Sequence, residues 1–271
     1  MSVRWLACVG PLGFGVLASC GSTAPDSGER SIANPVPRVG VDAPEWPVCA
    51  DLVTPMDLTD PRTARDAYQA TNLDFERLIF AVAGAQFEGD PDCPVYASSD
   101  STTTMGGDCW TEDGAQYWGT LTLGSGVEGS AWLSATGFEF VSGAKREYGF
   151  EADGYWWMRS PDGAFGAAEE WTQLGSTELF GPDESESGRR TDESELACAD
   201  DVCLSEGRVG FVEFAGLSGE FCYASAIAGG TLPDEPQRGT IRLVGSVRVE
   251  LRVLKGSEWW YSLEEGAWTP I

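Results

Sequence analysis

Apolar and polar residues alternate most clearly near the C-terminus, in the stretch TIRLVGSVRVELRVL (240–254). Apolar residues occupy its odd positions (Ile241, Leu243, Val247, Val249, Leu251, Val253), and polar residues occupy its even ones (Arg242, Ser246, Arg248, Glu250, Arg252). A period of two with one apolar face is typical of a half-buried strand. We therefore predict one long strand here, or a hairpin that turns near Gly245 and Ser246. GFEFV and REYGFEA alternate in the same way, more weakly.

Short acidic turn sequences recur through the same part of the chain. TEDG, EADG, SPDG and LEEG are each followed by an aromatic residue within three positions. Asp-Gly and related pairs supply the positive φ that tight hairpins require. Together with the alternation, these turns predict a mainly β fold, with an antiparallel sheet or sandwich and one helical region at its N-terminal side.

One stretch near residue 60 follows the helical period instead. Asp60 can cap a helix, and Pro61 suits the first helical position. Apolar residues then recur at helical spacing (Ala64, Ala67, Tyr68, Leu78, Ile79, Val82). We predict a helix near 61–84, or two helices broken near Asn72, serving as a packing element.

The N-terminus combines one positive charge, an apolar run and a group of small residues. Arg4 carries the charge, residues 5–16 are apolar, and Leu17-Ala18-Ser19-Cys20 follows directly. A secretory signal peptide ends in small residues of this kind. Counted through Ala18, the apolar run covers about 14 residues, which is too short to span a membrane.

The segment Leu17-Ala18-Ser19-Cys20 resembles the lipobox of bacterial lipoproteins, a resemblance limited to the first 20 residues. It implies that the signal peptide (1–19) is removed, that a diacylglyceryl group is attached to the Cys20 thiol, and that the new N-terminus is acylated, as with palmitate. Two or three acyl chains anchor a protein stably where one does not. Because Gly21 follows the cysteine, the resemblance implies the outer membrane. The alternative is an ordinary signal peptide and a secreted protein.

Residues 20–48 differ in composition from the rest of the chain. Five of the 15 prolines lie between Gly21 and Pro47, and no apolar period is present. We expect a lipidated cysteine on a flexible, Pro-rich tether, with an arm packed on the body as the alternative. Residues 49–271 would then form a single β-rich domain.

Six cysteines remain in that domain: Cys49, Cys93, Cys109, Cys198, Cys203 and Cys222. An even number in an exported protein predicts three disulfides, with about 15 possible pairings. Cys93–Cys109 and Cys198–Cys203 would close short local loops, and subtraction leaves Cys49 with Cys222. The alternative is a thiolate metal site. Such sites use CxxC pairs, which this sequence lacks.

Acidic residues outnumber basic ones by 43 to 17, which gives a net charge of −26. Nucleic acids and anionic headgroups both require a cationic surface, so we expect no nucleic-acid partner and a membrane contact through the lipid on Cys20 alone. Cationic partners or metal ions are favoured instead. The sequence contains no histidine, which excludes histidine-based catalytic triads and metal sites.

Two segments of the sequence could in principle hold a catalytic or a metal site. Ser142 and Lys145 match the S-x-x-K acylation motif of penicillin-recognising enzymes, but they lie between strand-like runs without S-D-N or K-T-G. Residues 183–201 hold eight acidic residues. No EF-hand frame is present, so we interpret this segment as a solvated loop rather than a calcium site. We expect no catalytic residue, no metal and no cofactor.

Two tryptophan pairs are candidate ligand-stacking residues, Trp156-Trp157 in GYWWMRS and Trp259-Trp260 in SEWWYSL. Neighbours on a strand point to opposite faces, so one member of each pair should be core and the other outside. We take Trp157 and Trp259 as the outer members. An exposed aromatic ring can stack on a sugar or anchor a protein partner, unless another element covers it.

These observations favour a cell-envelope lipoprotein with a non-catalytic surface, binding or structural role and an unknown protein or glycan partner. One alternative is a carbohydrate-binding module that uses the exposed tryptophans. The other is a carboxylate-dependent hydrolase.

Overall fold

The fold consists mainly of strands that pair with the strands before and after them in the chain. The computed structural model describes residues 39–71, 92–126, 129–142, 149–159, 170–180, 188–199, 202–229, 238–254 and 258–271. Several predicted features fall on residues outside the described ranges: the signal peptide and Cys20, the second half of the predicted helix near 61–84, the SPDG turn and Lys145.

The described chain contains one helix, Pro61–Gln69 (α1), and 14 strands. The strands are Val95–Ser98 (β1), Thr102–Gly106 (β2), Cys109–Trp110 (β3), Gln116–Ser125 (β4), Ser130–Val141 (β5), Gly149–Arg159 (β6), Glu170–Phe180 (β7), Gly188–Ala199 (β8), Val202–Phe214 (β9), Leu217–Ala228 (β10), Arg238–Val244 (β11), Arg248–Leu254 (β12), Glu258–Leu263 (β13) and Thr269–Pro270 (β14).

All the strands belong to one antiparallel sheet in chain order, except that β3 pairs with β4 beside β2. The predicted mainly β, antiparallel fold is therefore confirmed. The alternating C-terminal stretch forms the hairpin β11–β12, in which Leu243 lies opposite Val249. Direct antiparallel connections of this kind need only short turns.

Two of the acidic turn sequences form turns, and one does not. TEDG and LEEG lie at turns, as predicted, whereas EADG (151–154) lies inside β6. Here Gly154 is paired with Gly175 of β7, and Glu151 is paired on both sides, with β5 and β7. Sheet pairing on both edges therefore overrides the local turn preference of this sequence.

The acidic segment 183–201 is not the loop that the sequence suggested, because Gly188–Ala199 forms β8. Alternate residues of β8 are buried on one face of the sheet: Arg190, Asp192, Ser194 and Leu196. A strand with three polar residues at buried positions does not show the usual alternation of apolar and polar residues.

The buried side of the sheet carries Leu133, Trp156, Val209, Tyr223 and Leu251, each at most 1% exposed. We call this side the inner face and the opposite side the outer face. One apolar core joins α1 to the inner face of β9–β13, and a second lies on the inner face of β2–β6.

Helix α1 begins as the sequence predicts. The carboxylate of Asp60 accepts a hydrogen bond from the Thr63 amide at 2.8 Å, and Pro61 occupies the first turn. Ala64, Ala67 and Tyr68 are buried against the sheet. Because the capping carboxylate satisfies an otherwise unpaired amide, it stabilises the start of the helix. Among the described residues, no helix is long and apolar enough to span a membrane.

Residues 39–59, here called the N-terminal arm, lie against the outer face before they reach the core. The ring of Trp46 faces the guanidinium groups of Arg242, at 5.0 Å, and of Arg248, at 5.7 Å. Arg242 also donates a hydrogen bond to the Pro44 carbonyl. Residues 39–48 of the expected tether therefore contact the sheet, while residues 20–38 lie outside the described part.

The arm continues through a disulfide into the core under α1. Cys49 is bonded to Cys222 on the outer face of β10. Further along, the amide of Met56 donates to the Glu220 carbonyl at 2.8 Å, and Met56 and Leu58 are buried in the core. The start of the domain is thus held covalently on one face and by packing on the other.

The three disulfides of the structure are Cys49–Cys222, Cys93–Cys109 and Cys198–Cys203. These are the three pairings that the spacing suggested, so the disulfide prediction is confirmed. Their sequence separations are 173, 16 and 5 residues. A crosslink that closes a longer loop removes more entropy from the unfolded chain.

We expect Cys49→Ala/Cys222→Ala to destabilise the protein more than Cys198→Ala/Cys203→Ala. Loop-closure entropy gives about 5 kcal/mol for the first pair and about 2 kcal/mol for the second. Urea unfolding followed by tryptophan fluorescence measures both. Equal midpoints for the two double variants would show that closing the longer loop adds no stability beyond that of the short one.

Candidate functional site

Each tryptophan pair divides between the two faces, as predicted. Trp156 and Trp259 are 1% and 5% exposed on the inner face, and Trp157 and Trp260 are half-buried on the outer face. The choice of Trp259 as an outer residue was wrong, because its pairing with Val253 places it inside. Neither inner tryptophan can offer its ring to a ligand at the surface.

Trp260 lies on β13, apart from Trp157 in the strand order. Its indole N–H donates to a carboxylate oxygen of Glu258 at 3.1 Å, and Arg252 lies directly opposite it on β12. The structure therefore does not bring the two outer tryptophans together. Trp157 has other aromatic neighbours instead.

The outer face of β5, β6 and β7 carries Trp132, Tyr155, Trp157 and Leu174, which we call the outer aromatic surface. Trp132 lies directly opposite Trp157, and Tyr155 lies directly opposite Leu174. The rings of Trp132 and Tyr155 are 28° from parallel, with centroids 6.4 Å apart. Tyr155 is 41% exposed and Leu174 is 56% exposed. This is an apolar surface on the side of the sheet that faces away from the core.

A glycine positions the ring of Trp132. Gly124 lies opposite Trp132 on β4, and a β-carbon at residue 124 would lie 2.2 Å from Cε2 of the indole. The ring therefore lies over the backbone of β4, which is possible only because residue 124 has no side chain. Part of the ring remains exposed.

Hydroxyl groups flank the outer aromatic surface on the β4 side. The side-chain oxygens of Thr104 and Thr122 are 3.1 Å apart. Ser134 lies opposite both Thr122 of β4 and Tyr155 of β6. This border can donate and accept hydrogen bonds and carries no charge.

Three exposed carboxylates flank the β8 side: Glu193, Glu195 and Glu206, here called the acidic border. Glu193 lies opposite Leu174. Glu195 lies directly opposite Glu206 on β9. None of the ion pairs between described residues includes a carboxylate of the acidic border.

A second polar group of residues is buried on the inner face, between the two cores. Arg190, 1% exposed, forms an ion pair with Asp192. Its guanidinium also donates to the Ala70 carbonyl at 2.8 Å and to the Thr71 carbonyl at 2.5 Å. The amide oxygen of Gln173 lies 3.4 Å from the guanidinium nitrogen that donates to the Thr71 carbonyl. Arg190 thereby ties the C-terminal end of α1 to β8.

Burial shifts the pKa values of the groups around this ion pair. Burial lowers the pKa of the Arg190 guanidinium, although Asp192 and two carbonyls favour its charged form. Burial also raises the pKa of Tyr68 to about 12 and that of Tyr223 to about 12. Both phenols stay protonated at neutral pH. The cluster is enclosed and joins helix to sheet, so it acts as a structural connection.

The remaining sequence candidates show no catalytic arrangement. Ser142 follows directly after β5 and is 5% exposed, whereas the acylation motif requires a serine at the start of a helix. Lys145 is outside the described residues. The six cysteines of the domain are all in disulfides. In the described ranges, no group of three or more His, Cys, Asp or Glu residues is placed to hold a metal ion.

Sequence reasoning missed Trp132, Tyr155 and Leu174. The sequence contained part of the information. Trp132 precedes Leu133, so the two should point to opposite faces, and Tyr155 is two positions from Trp157, so these two should share a face. Period-two alternation assigns these residues to one side of each strand. It does not reveal which strands pair, and only the pairing brings the residues into one surface.

Comparison with known proteins adds no relative. No protein-family model, no curated protein and no solved structure matches this chain.

We expect Arg190→Met to destabilise the protein by about 3–5 kcal/mol, because it leaves Asp192 buried without its partner. The double variant Arg190→Met/Asp192→Leu should recover part of this loss, since it removes both charges together. Chemical unfolding of both single variants and the double variant measures the coupling between the two residues. A single variant as stable as the parent would exclude a stabilising role for the ion pair.

Proposed function

We propose that this protein is a lipid-anchored, non-catalytic binding protein of the bacterial outer membrane, and that the outer aromatic surface contacts its partner. The observation that carries the proposal is the exposed apolar group on β5–β7. Aromatic residues are enriched in protein interfaces, and contiguous exposed apolar surface is uncommon on proteins that bind nothing.

The amount of exposed apolar side chain supports a role in binding. Leu174, at 56% exposed, and Tyr155, at 41%, lie beside two half-buried tryptophans. The outer positions at the end of β6 and the start of β7 carry a paired charge instead, Arg159 with Glu170 at 2.6 Å. A partner that covers the outer aromatic surface removes these apolar side chains from water, which favours association.

The anchor is supported by the lipobox-like segment and by the position of the arm. Cys20 lies 19 residues before Val39, where the described chain begins. Such a segment reaches roughly 24 Å as a flexible coil. The arm then meets the sheet at β9–β12, on strands different from those that carry the outer aromatic surface. Anchoring through Cys20 would therefore leave that surface accessible.

A carbohydrate-binding module is the second candidate function, and Trp132 favours it. The indole lies over the strand backbone with part of its ring exposed, and hydroxyl groups of Thr104, Thr122 and Ser134 lie nearby. A ring combined with uncharged hydrogen-bonding groups suits a sugar. A glycan partner would use the β4 side of the surface.

Protein taken from native membranes should have the mass of residues 20–271 plus a lipid. Six further alkylations should appear only after reduction, because the disulfides protect the other cysteines. Cys20→Ser should leave the membrane fraction, since it removes the acylated thiol. Intact-mass spectrometry and fractionation measure these outcomes. A lipid-free mass would indicate a secreted protein instead.

A photo-reactive benzoylphenylalanine at Leu174 should crosslink to a partner in intact cells, while the same residue at Val212 should not. Val212 is a matched control, because its side chain is 61% exposed and that of Leu174 is 56% exposed. We expect at least a fivefold higher yield at position 174, reduced by Tyr155→Ser. A protease-resistant adduct would favour the glycan candidate. Equal yields at both positions would exclude a specific contact on this surface.

A further inference from the structure

We infer that the partner presents a basic segment, rich in arginine or lysine, to the outer aromatic surface and its acidic border. The inference rests on the proposed function and specifies the chemistry of the partner. In this arrangement, cationic side chains lie against the rings of Tyr155 and Trp157 and pair with Glu193, Glu195 and Glu206.

The placement of the acidic border argues for a cationic occupant. Glu195 and Glu206 lie directly opposite each other on neighbouring strands, and like charges in such a cross-strand pair repel and destabilise the sheet. Both side chains are exposed. A partner that supplies positive charge would remove this repulsion and gain the attraction of both carboxylates.

Several other carboxylates on the outer face are paired with arginines, although Glu139 lies opposite Glu151 without an ion pair of its own among the described residues. Glu220 pairs with Arg208 at 2.6 Å, and Glu178 pairs with Arg189 at 2.6 Å. Glu250 pairs with two arginines of the C-terminal hairpin. The three carboxylates of the acidic border have no ion pair among the described residues, although Arg208 lies directly opposite Glu193. Negative charge without a partner in the chain therefore lies beside the apolar surface.

The aromatic residues add a second attraction for cations. A guanidinium over the face of an indole or phenol ring is attracted by the ring quadrupole. The described residues contain three such contacts: Arg242 and Arg248 lie 5.0 Å and 5.7 Å from the Trp46 ring, and Arg252 lies 4.4 Å from the Trp268 ring. In β7, Thr172 lies between Trp157 on one side and Glu195 on the other. A long basic side chain can contact a ring with its stem and a carboxylate with its end.

Charge complementarity therefore favours a basic protein segment over the other occupants. A neutral glycan gains nothing from the net charge of the acidic border. A second copy of this chain carries its own net charge of −26, which opposes pairing at an acidic surface. A polyanion is repelled for the same reason.

The test measures the dissociation constant of a fluorescent nona-arginine peptide for the full-length lipoprotein in neutral detergent at physiological salt. Glu195→Gln/Glu206→Gln should weaken binding at least tenfold. The control Asp100→Asn/Glu112→Gln removes two exposed charges elsewhere and should change binding less than twofold. Leu174→Ser should weaken binding at least fivefold, and the equally exposed Val212→Ser should not. Thermal unfolding verifies that every variant is folded.

Two results would overturn the inference. Equal weakening by both charge pairs would mean that the peptide responds only to total charge. A neutral glucan hexasaccharide that quenches tryptophan fluorescence equally in the parent and in Glu195→Gln/Glu206→Gln would mean that the surface binds glycan. In the second case the proposed binding function stands and the basic partner is wrong. Absence of crosslinking at Leu174, by contrast, contradicts the proposed function itself.

Discussion

Hydrogen bonding between strands that follow one another in the chain is the constraint on which the other features depend. Successive side chains on a paired strand point to opposite faces, so the register decides the face of every residue. In β5 and β6 the register puts Trp132, Tyr155 and Trp157 outside and Leu133 and Trp156 inside. A slip of one residue would exchange the two sets, so the same pairing that fills the core also builds the outer aromatic surface.

The buried ion pair connects the end of α1 to β8, in the middle of the sheet. Arg190 lies where the inner face becomes polar, and it donates to the carbonyls of the two residues that directly follow α1. Burying a charge is costly unless a partner and hydrogen bonds accompany it. Asp192 and the carbonyls of Ala70 and Thr71 meet that requirement. Because these carbonyls accept bonds only from a correctly placed donor, the pair fixes the end of the helix on β8.

The N-terminal arm and the outer aromatic surface occupy different parts of the same face. The arm is joined to β10 by a disulfide and to β11 by stacking of Trp46 on Arg242. The arm also reaches β9, where the Asp51 carbonyl accepts a hydrogen bond from Arg208 at 3.2 Å. The nearest strand of the outer aromatic surface, β7, is two strands from β9, which corresponds to about 10 Å. The arm therefore does not cover the outer aromatic surface. The disulfide closes a separation of 173 residues, so it also holds the start of the domain against the sheet.

The sequence by itself determined the local features: the β11–β12 hairpin from its period of two, the start of α1 from Asp60 and Pro61, and the disulfides from an even cysteine count and two short spacings. Each of these depends on neighbours in the chain or on simple counting. Only the tertiary structure decided the rest. The acidic segment forms β8, which the sequence did not indicate because the inward-facing residues of this strand are mostly polar. Trp259 lies on the inner face and not on the expected outer one. The tertiary structure also brought three separate strands together as one aromatic surface, because the register between strands is set by packing and not by any single strand.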